Sequence, residues 1–313
     1  MDKRAHGIMF HHFHDEEKHI VGQGSISADR LYNMLNFYGK NHNILSAEEF
    51  LHRAENHTLL EKDVCLTFDD GLLCQFEIAY PVLKQYGVTA FWFIYTSPLD
   101  GVLEKLEIYR HFRFAMFHDI EEFYSEFFDM AKRTYSDVSS ELQTFRPEKY
   151  AVDFPIYTPN DKRFRYLRDE VLGVEKYNGL MDRMITEHHY DVQEAAEKLW
   201  INASQIKELH NNGHIIGLHS YSHPTVMVHK SQDEQKEEYE VNKRQLETII
   251  ADKVIAVSYP CNSYNKNTLK HMQDMGIQIG FRANLADIRL EDASLEYPRQ
   301  DHANILRAME ADK

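Results

Sequence analysis

The chain reads as an α/β protein whose β/α alternation is broken by one long, mainly helical insertion. Two observations point there. Short β-rich runs and stretches of helical period follow one another before about residue 97 and again after about residue 200, and polar clusters fall where the β-rich runs end. Size agrees, because 313 residues at 43% hydrophobic content can bury a large core without disulfides or a structural metal. Successive βα units fit either an open doubly wound sheet or a β/α barrel, and both place function at the carboxyl ends of strands.

The elements follow in order. Gly7 to Phe13 reads as a strand running into HHFHD at 11–15, then a helix spans about Ala28 to Tyr38 with Ser27 as its cap. Ser46 and Glu49 have capping-box spacing, and Phe50, Leu51 and Ala54 continue an apolar helix face. Val64 to Phe68 is a strand stopping at Asp69, Asp70 and Gly71; a helix from about Gln75 to Gln85 leads through Gly87 to strand Val88 to Ile94. Residues 97–200 carry many aromatics and charges but no strand alternation, which marks an insertion or lid within a single domain covering 1–313. From Val192 through Leu199, Trp200, Ile206 and Leu209, apolar residues recur at helical spacing up to Asn212 and Gly213. Strand Ile215 to Leu218, helix Gln232 to Ala251, strand Val254 to Tyr259, helix Lys266 to Met275 and strand Ile277 to Phe281 resume the alternation. Ile288, Leu290 and a turn at Pro298-Arg299 complete the sheet.

Composition excludes several classes. Fifty acidic against 35 basic residues give a formal charge of -15, and no basic run offers a face to nucleic acid. Cys65, Cys74 and Cys261 are too few and too scattered for a disulfide framework, and the odd count fits a reducing compartment. Without a signal-like start or 18 consecutive apolar residues, the expectation is a cytoplasmic protein with no transmembrane segment; a homo-oligomer stays open. The 19 histidines supply many potential ligands and proton carriers.

Three of the strand ends carry chemistry. HSYSHP at 219–224 sets His219 and His223 four positions apart, able to reach one metal through a single turn or tight loop, with Pro224 restricting that turn. A carboxylate from LTFDDG completes a His, His, Asp set on a divalent ion, for which Zn²⁺ is suitable; Co²⁺, Ni²⁺, Mn²⁺ and Fe²⁺ are also compatible. The second carboxylate is then free to take a proton from an attacking water. Tyr259 to Asn262 close a third strand end.

TFDDG at 67–71 and HSYSHP at 219–224, the latter preceded by GHIIG at 213–217, together resemble the first two motifs of the polysaccharide deacetylase family, also called NodB-homology or carbohydrate esterase 4. The resemblance covers roughly 7–95 and 205–302. It implies a distorted (β/α)7-type barrel, hydrolysis of an N-acetyl group on a sugar, Asp69 as general base, and Asp70, His219 and His223 as metal ligands. The third motif departs from the family. VSYPCN puts Ser258 near the usual arginine position and Asn262 where glycine is usual, as in a YP-containing branch. Arg299, in YPRQD, is the candidate replacement, supplying positive charge from a later strand end and orienting Asp69 by a bidentate contact. The acid that protonates the departing amine is sought among His11, His14 and His302, with His11 in MFHHF the best match to the histidine near the start of related deacetylases. Tyr259 and Asn262 are candidate substrate contacts.

Other side chains read as structural. Cys261 lies on the same rim without a base partner and is assigned to apolar packing. Phe91, Trp92 and Phe93 fit a core, as do Phe112, Phe114, Phe117, Phe123, Phe127 and Phe128; Tyr157, Arg165 and Arg168 are candidates for selecting a phosphorylated, nucleotide-linked or lipid-linked sugar. The expected function is metal-dependent deacetylation of a small or lipid-linked N-acetyl sugar, an intermediate of surface polysaccharide or O-antigen. Hydrolysis of a non-sugar amide or imide, and noncatalytic metal or carbohydrate binding, are the competing readings.

Overall fold

Pairing of the β-rich runs organises the protein, and a computed structural model describes it over residues 4–150, 157–286 and 293–311. The strands are β1 (His6–Phe10), β2 (Asn43–Ile44), β3 (Asp63–Phe68), β4 (Phe91–Ile94), β5 (Ile215–Leu218), β6 (Ala256–Ser258), β7 (Ile279–Phe281) and β8 (Arg299–Asp301). Among the described residues all strand pairings are parallel, in the order β7-β6-β5-β4-β3-β1-β8, with β2 joined to β3. The two ends of this row meet where Phe281 bridges Tyr297, whose N–H donates to the Gly280 carbonyl at 2.8 Å. Seven strands therefore form a nearly closed ring, a distorted (β/α)7 barrel.

Alternation along the strands sorts their side chains into two sets. Cys65, Phe91, Phe93, Ala256, Ile279 and Phe281 pack in one cluster; Leu66, Phe68, Trp92 and Leu218 pack in another with helix residues such as Leu83 and Ile206. Phe68 stacks on Trp92 at 4.5 Å between ring centres, so all three aromatics of β4 are core. His214, before β5, is buried too, and its Nδ1 accepts from the Ala90 N–H at 3.1 Å and the Trp92 indole N–H at 3.0 Å.

Helix ends follow the local signals. Ser27 caps Ala28–Gly39, Ser46 caps Ala47–Glu55, and Ser231 with Glu234 forms a full capping box on Gln232–Ile250. The expected helix through Val192 to Asn212 is instead two, Val192–Ala196 and Ala203–Asn211. Asn202 caps the second, and between them a turn at 197–199 leads into a short extended stretch: Trp200 bridges Leu72, and the Ile201 N–H donates to the Gly71 carbonyl at 3.0 Å. Apolar residues at helical spacing also suit a short buried extended segment, which is why the period misled there. Arg299 is likewise not in a turn but opens β8, paired with Gly7 of β1. Ile288 and Leu290 lie outside the described residues.

Two compact units result, Met1–Glu104 with Lys198–Lys313, which holds the barrel, and Lys105–Glu197. The second is helical, built on Lys105–Met116, Ile120–Thr134, Pro159–Tyr166 and Gly173–Glu187, with Phe112, Phe123, Phe127, Phe128 and Phe164 buried among them. There Arg168 is held by Asp169 through two hydrogen bonds of 2.6 and 2.8 Å, while Arg165 stacks over the Tyr157 ring at 4.0 Å. No helix among the described residues is long and apolar enough to cross a membrane.

Candidate active site

The residues past the ends of β1, β3 and β5 converge. At β3 the Asp69 N–H still donates to the Phe10 carbonyl of β1 at 3.1 Å, after which Asp70 (φ 78°) and Gly71 (φ 62°) are both left-handed. This turn sends the two adjacent carboxylates to different partners. Gly71 is required for space as well as for φ, because a Cβ there would stand 2.9 Å from Ile94 Cγ2. Gln75, fully buried, locks the two strand ends together by donating to the carbonyls of His11 at 2.7 Å and Asp69 at 2.6 Å.

Asp69 faces Arg299 across the barrel interior. Arg299 starts level with Gly7 on β1 and climbs to the site; a side chain on Gly7 would place Cβ 3.0 Å from the Arg299 stem. Its fork is bidentate on Asp69, Nη1 to Oδ1 and Nη2 to Oδ2, both 2.7 Å. The remaining donors go to the Arg282 carbonyl from Nε (3.0 Å), Thr67 Oγ1 (3.2 Å) and Ser258 Oγ (2.8 Å), so all five N–H groups are used. Ser258 in turn donates to Asp69 Oδ2 at 3.2 Å. Burial alone would raise the Asp69 carboxyl, but the Arg299 guanidinium, His219 and His11 together hold it below the usual carboxylate range. The positive charge thus comes from the start of β8, not from a strand's carboxyl end. Ser258, given no role by sequence reasoning, belongs to the same hydrogen-bonded group.

Asp70 faces the histidines. His219 Nδ1 donates to the Ser258 carbonyl at 2.8 Å, which leaves its Nε2 lone pair directed at Asp70 Oδ1, 3.3 Å away. His223 Nε2 stands 3.2 Å from the same oxygen. One donor atom from each residue falls within 4.8 Å of the others, yet Asp70 Oδ1 is buried with no hydrogen-bond donor among the described residues. Burial would raise the Asp70 carboxyl, but His223 and His219 hold it well below the ordinary range; burial would lower His223, but Asp70 and Asp69 raise it. Two imidazole nitrogens converging on a buried carboxylate oxygen that has no other hydrogen-bond partner among the described residues make a donor set suited to a divalent cation. Donors about 2.1 Å from a tetrahedral Zn²⁺ are roughly 3.4 Å apart, so the set fits a divalent ion of this kind.

Of the acid candidates, His11 is the one beside Asp69, its Nε2 3.8 Å from Oδ2 and its side chain 32% exposed. His14 bonds Ser25 Oγ at 2.7 Å. His302 is buried, with Nε2 2.8 Å from the Gly24 carbonyl and Nδ1 3.2 Å from that of Met9; burial lowers its pKa. Tyr259 is buried too and donates to the Leu295 carbonyl at 3.0 Å, and Asn262 Oδ1 accepts from the Ala283 N–H at 2.8 Å. These four side chains are engaged in bracing the fold. Cys261 is exposed, which overturns the packing role expected for it: its left-handed backbone (φ 50°) in the Tyr259–Asn262 turn carries the side chain outward. Sequence reasoning missed Gln75, Thr67 and Ser258; the available signal was polar side chains at positions whose neighbours demand burial.

A hydrolase family unites this barrel and site. The sequence model described as polysaccharide deacetylase matches residues 56–143 and 180–280, more than half of the chain, which therefore belongs to the polysaccharide deacetylase family. No curated protein matches the chain. Among solved structures it is similar to the Streptococcus pyogenes deacetylase PplD, with a TM-score of 0.54 and 18% identity over 99% of each chain. It also resembles IcaB from Ammonifex degensii (TM-score 0.54, 15% identity, 96% of this chain and 92% of that one). A de-N-acetylase from Aggregatibacter actinomycetemcomitans is similar as well (TM-score 0.55, 17% identity, 97% and 99%). Membership supports deacetylation of an N-acetylated polysaccharide.

Proposed function

We propose that the protein is a metal-dependent deacetylase of an N-acetylated sugar. One observation carries this reading: two adjacent carboxylates with separate partners, Asp69 locked to Arg299 and Asp70 set against two imidazole nitrogens. Asp70, His219 and His223 would hold the ion, which when bound supplies polarisation of the acetamido carbonyl and a more acidic water. Asp69, kept ionised and oriented by Arg299 and Ser258, accepts the proton of the attacking water. His11, beside Asp69 and open to solvent, donates to the departing nitrogen, so that acetate and an amino sugar leave.

We also read the helical unit as an insertion in one deacetylase-like domain, because β4 and β5, which flank it in sequence, are neighbours in the barrel. The substrate proposed is a surface-polysaccharide or O-antigen intermediate; the family and a neighbour described as a de-N-acetylase support its N-acetylated sugar character. Cys65, Cys74 and Cys261, too few and too scattered in the sequence for a disulfide framework, support a reducing, cytoplasmic setting.

Acetate release from free, nucleotide-linked and lipid-linked N-acetyl sugars, with chelated and zinc-restored protein, tests the reading. Release restored by zinc and abolished in Asp69→Asn, with metal content retained, is the expected result. No release at full metal occupancy across the panel would overturn it.

A further inference from the structure

We propose that Glu238 and Asn242 are positioning residues for the ligand histidines: two buried side chains, one turn apart on helix Gln232–Ile250, that impose the shape of loop 219–223. The proposal rests on reading Asp70, His219 and His223 as metal ligands.

The loop has no regular structure, and it contains two left-handed residues other than glycine, Ser220 (φ 63°) and His223 (φ 50°). Such backbone persists only where its surroundings determine it. Here they do so almost group by group. The His219 N–H donates to Asn242 Oδ1 at 3.0 Å. The N–H groups of Tyr221 and Ser222 both go to Glu238 Oε2 at 3.1 and 2.9 Å, and the Ser222 hydroxyl goes to Oε1 at 2.6 Å. The His223 N–H bonds back to Ser220 Oγ at 3.1 Å, and the Tyr221 carbonyl accepts from Thr96 and Ser97 of the β4 end at 3.2 and 2.9 Å.

Residues four apart share a helix face, so a single rigid element grips both halves of the loop. Asn242 is fully buried and spends its Nδ2 on the Ile94 carbonyl (2.9 Å) and Thr96 Oγ1 (3.1 Å), tying the His219 amide to the end of β4. Glu238, 8% exposed, has Lys230 Nζ 3.2 Å from Oε1 as its counter-charge. The imidazole nitrogens stand 3.3 and 3.2 Å from Asp70 Oδ1, so a small shift of the loop takes one of them out of ligand reach. Glu238 acts here by shape, as a fixed acceptor for three loop donors, and its charge is incidental to that task.

Glutamine and aspartate substitutions separate shape from charge. In Glu238→Gln the amide oxygen can accept both backbone N–H groups and the amide nitrogen can donate to Ser222 Oγ. Glu238→Asp keeps the charge but falls one methylene short. Cobalt(II) affinity and the visible absorption of bound Co²⁺ are read on full-length wild type, both Glu238 variants, Asn242→Ala and Ser222→Ala, with circular dichroism as the folding check and Asp70→Asn as control. Glu238→Gln should bind within about threefold of wild type. Glu238→Asp and Asn242→Ala should bind about 10–100-fold more weakly with an altered spectrum, as loss of groups that orient metal ligands does. Folded Glu238→Asp or Asn242→Ala binding like wild type overturns the proposal, as does Glu238→Gln binding more weakly than Glu238→Asp, which would show a through-space charge effect. If those two variants do not fold, Ser222→Ala decides: weaker binding supports the proposal and unchanged binding overturns it. Wild type binding no Co²⁺, or Asp70→Asn binding as wild type does, would instead refute the ligand assignment.

Discussion

Replacing Arg299 by methionine tests the electrostatic design of the site. The substitution keeps an apolar stem of similar length beside Gly7 but leaves the Asp69 carboxylate, 2% exposed, without the fork that meets both its oxygens. Breaking a buried pair by removing one partner costs about 3–5 kcal/mol, because the other charge stays buried and uncompensated. For a unit of this size that lowers the melting temperature by roughly 6–20 °C. In the wild type the folded Asp69 carboxyl lies below its unfolded value, so its contribution is complete above the unfolded pKa of about 3.9 and fades as pH falls through the folded value. In Arg299→Met burial is opposed only by the weaker pull of His219 and His11 and the Ser258 hydroxyl, the carboxyl rises, and acid relieves the penalty by protonating it. Calorimetry of wild type, Arg299→Met and Asp69→Asn/Arg299→Met between pH 4.5 and 8 should therefore show a gap between the first two that narrows towards acid. The double variant should recover about 2 kcal/mol or more, since its amide carries no charge. A single variant within about 1 kcal/mol of wild type at pH 7, or a double variant that is less stable still, would refute the reasoning.

His11→Asn should abolish turnover while leaving metal content intact, whereas His302→Asn, remote from Asp69 by its hydrogen bonds to Gly24 and Met9, should retain activity; equal loss in steady-state assays would put the acid assignment in doubt. His214→Phe removes the acceptor shared by the Ala90 and Trp92 N–H groups and should cost about 2–4 kcal/mol at pH 7 in denaturant melts. Burial pushes the His214 pKa down to about 4, so the folded state requires the neutral ring: its contribution is complete above the unfolded value of about 6.5 and is lost as pH falls towards 4. That acid-sensitive window, worth about 3 kcal/mol, should vanish in His214→Phe, and its persistence would assign the sensitivity to other groups.

The amino-acid sequence by itself determined the alternation of strands and helices and the three ligand candidates. Both are written locally: β-rich runs and caps act over a few residues, His219 and His223 share one loop, and Asp69-Asp70-Gly71 needs only a strand end and a glycine that tolerates a left-handed turn. Arg299 was also legible as a candidate bidentate partner of Asp69, but tertiary structure decided how that contact is made and what surrounds it. Arg299 reaches Asp69 across 230 residues because β8 lies beside β1 and Gly7 leaves room for the arginine stem. The same closure brings Ser258 onto the pair and buries His302 against Met9 and Gly24 instead. The break at Leu199–Ile201 likewise comes from pairing with residues 71–73, far away in the chain. Lateral neighbours in a barrel are set by which strands pair, a choice made by the packing of the entire ring, and no local period or spacing carries it.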